Sequence, residues 1–141
     1  MIAGRLDIRA LVITTLLVCG LAGGVRAAEP LYIGAKFCRT CHSGSDRERY
    51  HLWLESRHGK AFDSLVGARK TDPECLGCHT TGYGKPMSES TSERDLRGVQ
   101  CEACHGPGSE YKSMRVMKDP DLARQNGLWD VNREVCLGCH R

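Results

Sequence analysis

The longest helical pattern in the chain covers residues 46–66, where apolar and histidine side chains recur every three or four positions. The repeating positions are, in order, His51, Leu54, His58, Ala61 and Leu65. Residues with this spacing share one face of an α-helix. Asp46 is suited to cap the start of the helix, and Gly59 weakens its middle. The pattern predicts an amphipathic helix that carries two histidines on its inner face.

Elsewhere the pattern predicts only short helices and turns. Asp119 can cap a helix that has Pro120 at its first position and Gly127 just after its end, and Asn132 can cap the last helix. Short helical turns are expected at residues 76–80 and 102–105. Gly-rich turns are expected to follow them, and the Ser-rich segment 87–93 reads as an exposed loop. No segment has a convincing strand pattern, so the expected fold class is mostly α, with short helices and loops.

The first residues form a targeting segment. Arg5 and Arg9 precede the uncharged stretch 10–25, which at sixteen residues is shorter than the roughly 20 that cross a membrane. A basic start, an apolar middle and the small-x-Ala sequence ending at Ala27 are typical of a secretory signal. We therefore predict a signal peptide at residues 1–27 and one domain at 28–141, with an uncleaved membrane anchor as the alternative.

Composition shows that side-chain burial alone does not hold this chain together. Its 141 residues include nine Cys and 16 Gly but only two Phe and two Trp, too few large side chains for an extensive core. Lys and Arg number 20 against 17 Asp and Glu, so a nucleic-acid partner has no support, and the mean hydropathy of −0.38 excludes a multi-span membrane protein. Disulfides, a structural metal or a covalent cofactor must contribute to the fold.

Every cysteine after the signal segment belongs to a C-x-x-C-H motif. The pairs are Cys38 and Cys41, Cys75 and Cys78, Cys101 and Cys104, and Cys136 and Cys139. The histidines that follow them are His42, His79, His105 and His140. This spacing attaches c-type haem, because two thiols add to the porphyrin vinyl groups and the next residue binds the iron. Disulfides do not explain the four histidines, and two Cys₄ zinc sites would leave them without a role.

Four covalent haems c are thus expected, at about one haem for every 28 residues of the mature chain (114 residues over four motifs). At that density the porphyrins replace the side chains that a small domain lacks, so the chain without haem is not expected to fold to a unique state.

The chain has few histidines to serve as second axial ligands of the haem irons. Only His51 and His58 remain outside the motifs, and seven residues along a helix span about 10 Å, so the two cannot share one iron. At least two haems therefore lack a histidine on their second side. Other candidate ligands are Met87, Met114, Met117 and Tyr111. Without such a ligand a haem is five-coordinate or holds water.

Three segments resemble the cytochrome c-554 family of multihaem proteins. They are Trp53-x-x-Ser56-x-His58-Gly59, the run Cys75-Leu76-Gly77-Cys78-His79-x-x-Gly82-Tyr83, and residues 98–110 (GVQCEACHGPGSE). The likeness extends over residues 32–141. It implies a mostly helical periplasmic domain in which closely stacked haems relay electrons from a redox partner, with His58 as a distal ligand.

Two departures from the family pattern stand out. Family members often place a histidine soon after the Gly-Pro-Gly turn, where it can serve as a distal ligand, and here that place holds Tyr111. The family also usually continues past its fourth motif, whereas this sequence stops one residue after His140. The sequence is consistent with a shortened member or with a fragment.

We expect an exported, periplasmic tetrahaem cytochrome whose task is electron transfer rather than catalysis. Its partners would be redox proteins and not nucleic acid, and it would meet the membrane only if the signal stayed uncleaved. The alternative function is that of a small reductase acting on a nitrogen oxide or similar ligand at a five-coordinate haem. A third is that of a module docking on a larger oxidoreductase.

Overall fold

The computed structural model describes residues 29–44 and 48–140; the predicted signal peptide and the predicted cap Asp46 lie outside these ranges. The α-helices of the described part are α1 (Ala35–His42), α2 (Arg49–Glu55), α3 (Pro73–His79), α4 (Cys101–His105), α5 (Met114–Met117), α6 (Pro120–Gln125) and α7 (Arg133–Leu137). Short 3₁₀ turns occupy Phe62–Ser64, Gly67–Lys70 and Glu93–Leu96.

The prediction of a mostly α fold is confirmed. Extended pairing within the described ranges is limited to two isolated bridges, Tyr32 with Met87 and Thr80 with Arg97. None of the helices described there has the length and apolar character needed to cross a bilayer.

Local capping starts several of these helices. The Asp119 carboxylate accepts the N–H groups of the first turn of α6 behind Pro120. The Asn132 side chain accepts the Val135 N–H at the start of α7. Both caps were expected from the sequence, because they need only residues adjacent in the chain.

The predicted long helix over residues 46–66 is wrong. Helix α2 ends at Glu55, and Ser56 adopts an extended backbone. The Ser56 hydroxyl then accepts the Gly59 N–H at 3.1 Å, and a side chain at Gly59 would come within 2.4 Å of the Trp53 carbonyl oxygen. A serine hydroxyl that bonds nearby backbone competes with the helix. His51 and His58 consequently do not share a helix face.

The segment before α1 is bound to α4 by buried polar side chains. The fully buried Glu102 carboxylate accepts the Ile33 N–H at 3.0 Å and the Gly34 N–H at 2.7 Å. The adjoining Gln100 side chain accepts the Ala35 N–H at 2.6 Å. These long-range bonds fix the start of the first motif helix against the third.

The purely side-chain core of the described part is small. Tyr111, Val116 and Ala123 form a buried cluster, against which Leu122 and Leu128 pack. Many large apolar side chains remain exposed, among them Leu52, Val66, Met114, Trp129, Val131 and Leu137. The fold therefore leaves apolar surface that water would not favour.

Candidate haem-attachment sites

Each C-x-x-C-H motif lies on a helical turn. The histidine is the last residue of α1, α3 and α4. In the fourth motif the turn continues beyond α7, because the His140 N–H donates to the Cys136 carbonyl at 2.9 Å. Positions i, i+3 and i+4 share one face of such a turn. Both sulfurs and the imidazole of a motif therefore lie on the same side of their helix.

The first, third and fourth motifs are neighbours. The Cys38 thiol hydrogen-bonds to the Cys101 thiol, and this bond together with burial raises the pKa of Cys38 well above its usual range. Burial raises the pKa of Cys104, and the charges of the nearby Cys136 and Cys101 add to that rise. A thiol of the third motif thus lies beside one of the first motif, and another is within electrostatic range of a thiol of the fourth. The sequence did not indicate this arrangement.

The second motif is held by backbone contacts of the loop after α2. The His79 Nδ1 lies 2.6 Å from the Ala61 carbonyl oxygen. A carbonyl only accepts, so Nδ1 carries the hydrogen and Nε2 keeps the lone pair that binds a metal. The His79 carbonyl in turn accepts the Gly98 N–H at 3.0 Å.

The structure brings together two of the predicted iron ligands. The rings of His58 and His140 lie 5.9 Å apart between centroids, at an interplanar angle of 58°. This separation is compatible with two imidazoles that share one metal ion, because each metal–nitrogen bond measures about 2 Å. The other histidine outside the motifs, His51, has its ring 5.8 Å from that of Tyr50 in an edge arrangement.

A cavity of about 530 Å³ opens beside the first motif. Cys38, Cys41 and His42 line it, as do Met114 and Met117 of α5. Its volume is in the range of cofactor and small-molecule sites. A smaller cavity of about 140 Å³ lies beside Phe62, Tyr83 and Met87.

The candidate ligand Tyr111 is engaged elsewhere. Its hydroxyl donates to the Gly106 carbonyl at 2.7 Å, and the side chain is buried. Burial, with the nearby Glu102 carboxylate, raises the pKa of Tyr111 above its usual range. The side chain is thus set up as a hydrogen-bonded core residue.

The residues present fit covalent haem, because each motif places two thiols and an imidazole on one face of a helical turn. The cysteines of the first three motifs form no disulfide. Across residues 29–44 and 48–140 no three His, Cys, Asp or Glu side chains gather closely enough to hold a metal ion by themselves, as a Cys₄ zinc site would require.

Sequence reasoning missed the buried polar residues that position the motifs. Glu102 and Gln100 stand in or beside the third motif, and the Trp53 indole N–H donates to the Val99 carbonyl at 2.7 Å. The sequence contains one signal for the burial of Glu102. Its carboxylate stands among Val, Ala and a Gly-Pro-Gly turn, where few other side chains are polar.

The chain is similar to known proteins in sequence and in structure. The family model for cytochrome c554 and c-prime matches residues 37–106. Cytochrome c-554 of Nitrosomonas europaea is 29% identical over 164 aligned residues, covering 89% of this chain and 68% of the relative. An uncharacterized protein of Archaeoglobus fulgidus is 35% identical over 54 residues, covering 38% of this chain and 18% of that protein.

The structural comparison agrees. The reduced state of cytochrome c554 from Nitrosomonas europaea superimposes with a TM-score of 0.62 at 28% identity, over 80% of this chain. The matched part is 66% of that chain, just under two thirds of its length. The family match, the sequence relative and the fold all indicate a c-type cytochrome, as the repeated motif does. The chain is thus similar in sequence and in fold to cytochrome c-554, and these findings support its assignment to the cytochrome c-554 family of multihaem c-type cytochromes.

Proposed function

We propose that this protein is a periplasmic tetrahaem cytochrome that passes electrons between redox partner proteins. The carrying observation is that all four C-x-x-C-H motifs adopt a helical turn with both sulfurs and the imidazole on one face. Haem iron, when bound, supplies a one-electron redox couple, while the protein sets its spacing and ligands.

Each motif would hold one haem with the same residue types, two cysteines for the porphyrin and one histidine for the iron. The cysteine pairs Cys38/Cys41, Cys75/Cys78, Cys101/Cys104 and Cys136/Cys139 would form the thioethers. The proximal ligands would be His42, His79, His105 and His140. For the second motif this is supported by the Ala61 carbonyl, which accepts the hydrogen of His79 Nδ1 and leaves the lone pair of Nε2 to bind iron.

His58 is proposed as the distal ligand of the fourth haem. The support is its ring-to-ring distance of 5.9 Å from His140. The His58 carbonyl accepts the Val99 N–H at 2.9 Å, which holds this part of the loop in place. His51 stays a candidate distal ligand, supported only by its position outside the motifs.

The contacts between motifs support an electron path. Cys38 touches Cys101, and Cys104 lies near Cys136. Haems attached at these sulfurs would be close neighbours, in the order first, third, fourth. An exported location is supported by the apolar segment after Arg9 and by the cleavage pattern that ends at Ala27.

The mass of the mature, secreted protein tests the proposal. Cleavage after Ala27 with four attached haems is the expected result, together with a Soret band and reduction of all four haems in a redox titration. A sample of the correct chain mass without haem, or with zinc in its place, would refute it. A chain still beginning at Met1 would refute only the cleavage.

The ligand assignment has its own experiment. The His58→Ala variant should keep four haems and convert one low-spin ferric signal to high spin. His51→Ala serves as the comparison, because the His51 ring meets the Tyr50 ring edge-on and does not lie beside a motif histidine. An unchanged low-spin signal in His58→Ala would overturn the assignment.

A further inference from the structure

The cavity beside the first motif has sulfur on two sides. Cys38 and Cys41 line it from α1, and Met114 and Met117 line it from α5. The two methionines stand three positions apart, so they share one face of their helix. Val116, between them, is buried in the core cluster with Tyr111. Helix α5 therefore presents its thioethers to the cavity from a fixed position.

Tyr111 stands where family members often have a histidine after the Gly-Pro-Gly turn, but its side chain is not positioned as a ligand. Tyr111 is 7% exposed, and its hydroxyl is used by the Gly106 carbonyl at 2.7 Å. Breaking that bond would leave the carbonyl of the buried Gly106 unpaired, which is unfavourable. A second protein ligand for a haem at this motif would therefore come from another residue around the cavity.

Two lysines also line the cavity, Lys112 and Lys118. The Lys112 ammonium lies 4.9 Å from the centre of the Phe37 ring, within the range of a cation–π contact. A charged ammonium has no lone pair for a metal. A thioether is neutral at every pH and is an established partner of histidine on haem iron.

We propose that a methionine of α5, Met114 or Met117, is the axial ligand opposite His42. The inference rests on the proposed function, namely on a haem attached at Cys38 and Cys41. It also explains two exposed thioethers, since Met114 is 62% and Met117 38% exposed in the protein alone. Methionine raises the reduction potential of a haem relative to a second histidine. The first motif would then carry the couple of highest potential.

The test uses the mature holoprotein and four variants. These are Met114→Leu, Met117→Leu, the double variant, and Met87→Leu as the control that removes the methionine beside the other cavity. Leucine preserves the volume of methionine, so the variants should fold. Mass spectrometry first counts the attached haems in each. The ligand is then identified from two signals of methionine bound to haem iron. One is the far-red absorption band of the ferric protein, and the other is the strongly shifted methionine methyl resonance in the NMR spectrum.

The wild type should show one methionine-ligated haem, and Met87→Leu should keep it. The double variant should retain four haems, lose both signals, and have a lower highest potential. Loss in one single variant names the sulfur. The proposal is overturned if four haems are attached and the wild type lacks the signals, or if the double variant keeps them. A haem missing from the first motif in the mass count would instead refute the four-haem function on which the proposal rests.

Discussion

At the scale of single residues, Glu102 joins the segment before α1 to α4. Its carboxylate is fully buried and accepts backbone N–H groups from Ile33, Gly34 and Gly108, the last at 2.6 Å. Its partners precede the first motif and follow the third. A carboxylate that accepts several N–H groups forms charge-assisted bonds, which are stronger than neutral ones.

Replacement of this residue by its amide should be costly. In Glu102→Gln one of the two oxygens becomes an NH₂ group, so at least one backbone N–H would face a donor. We expect the free energy of unfolding of the holoprotein to fall by about 1–3 kcal/mol, measured by chemical denaturation. Glu89→Gln in the exposed Ser-rich loop is the matched control and should change it little. Equal stabilities of the two variants would contradict the structural role of Glu102.

At the scale of elements, the caps that start helices could be predicted from the sequence, whereas the end of α2 could not. The caps Asp119 and Asn132 act on N–H groups within three residues, so the sequence contains both partners. The end of α2 depends on Ser56 and on the tight turn around Gly59. The apolar periodicity nevertheless continues past that turn, since Leu65 is buried although it lies ten residues beyond the end of α2.

The turn at Gly59 predicts a specific sensitivity. An alanine Cβ would lie 2.4 Å from the Trp53 carbonyl oxygen, a backbone atom that cannot move alone. Gly59→Ala should therefore destabilise the holoprotein by about 1–3 kcal/mol and disturb the neighbouring His58. Gly77→Ala is the control, since nothing lies within 4 Å of its Cβ position in α3. Thermal unfolding of both variants checks this, and a neutral Gly59→Ala would show that the turn relaxes freely.

The 3₁₀ turn Glu93–Leu96 predicts a pH effect. Bonds from the Ser92 backbone and hydroxyl, and from Lys36, lower the pKa of Asp95 to about 2. A lowered folded-state pKa means that the stabilisation is fully present above the ordinary value of 3.8 and is lost as the pH falls through about 2. The stability difference between wild type and Asp95→Asn should be constant above pH 5 and shrink toward pH 2.

Lys36 provides the comparison for this acid step. It contributes less to the lowered pKa than Ser92 does, so Lys36→Gln should retain most of the step. Unfolding midpoints measured at several pH values in the two variants decide the matter. A step lost equally in both would assign it to the ion pair instead of the capping bonds.

At the scale of the whole molecule, motif spacing predicted what is bound and not how the sites are arranged. Intervals of 37, 26 and 35 residues separate the motifs, yet the first lies against the third. That contact depends on the buried bonds of Glu102 and Gln100 to the segment before α1. Such partners lie more than 60 residues apart, and no periodicity in one segment reveals them.

The arrangement predicts that the four motifs contribute unequally to folding. The third motif lies on α4, beside the buried Glu102 and the Cys38 thiol, whereas the fourth lies at an exposed end of the chain's described part. Because bound haem would supply most of the core, loss of the third haem should unfold much more of the molecule than loss of the fourth.

Paired Cys-to-Ser variants separate these cases. C101S/C104S should be secreted poorly and be cleaved rapidly by protease, since the neighbouring first haem would lose the surface on which it packs. C136S/C139S should retain three haems, resist protease in residues 29–110, and change the ligation of His58, whose ring lies beside His140. Haem counts by mass and the pattern of proteolytic fragments measure both effects. If the two variants were equally stable, the third motif would not be the centre of the fold, and each haem would instead stabilise only its own helical turn.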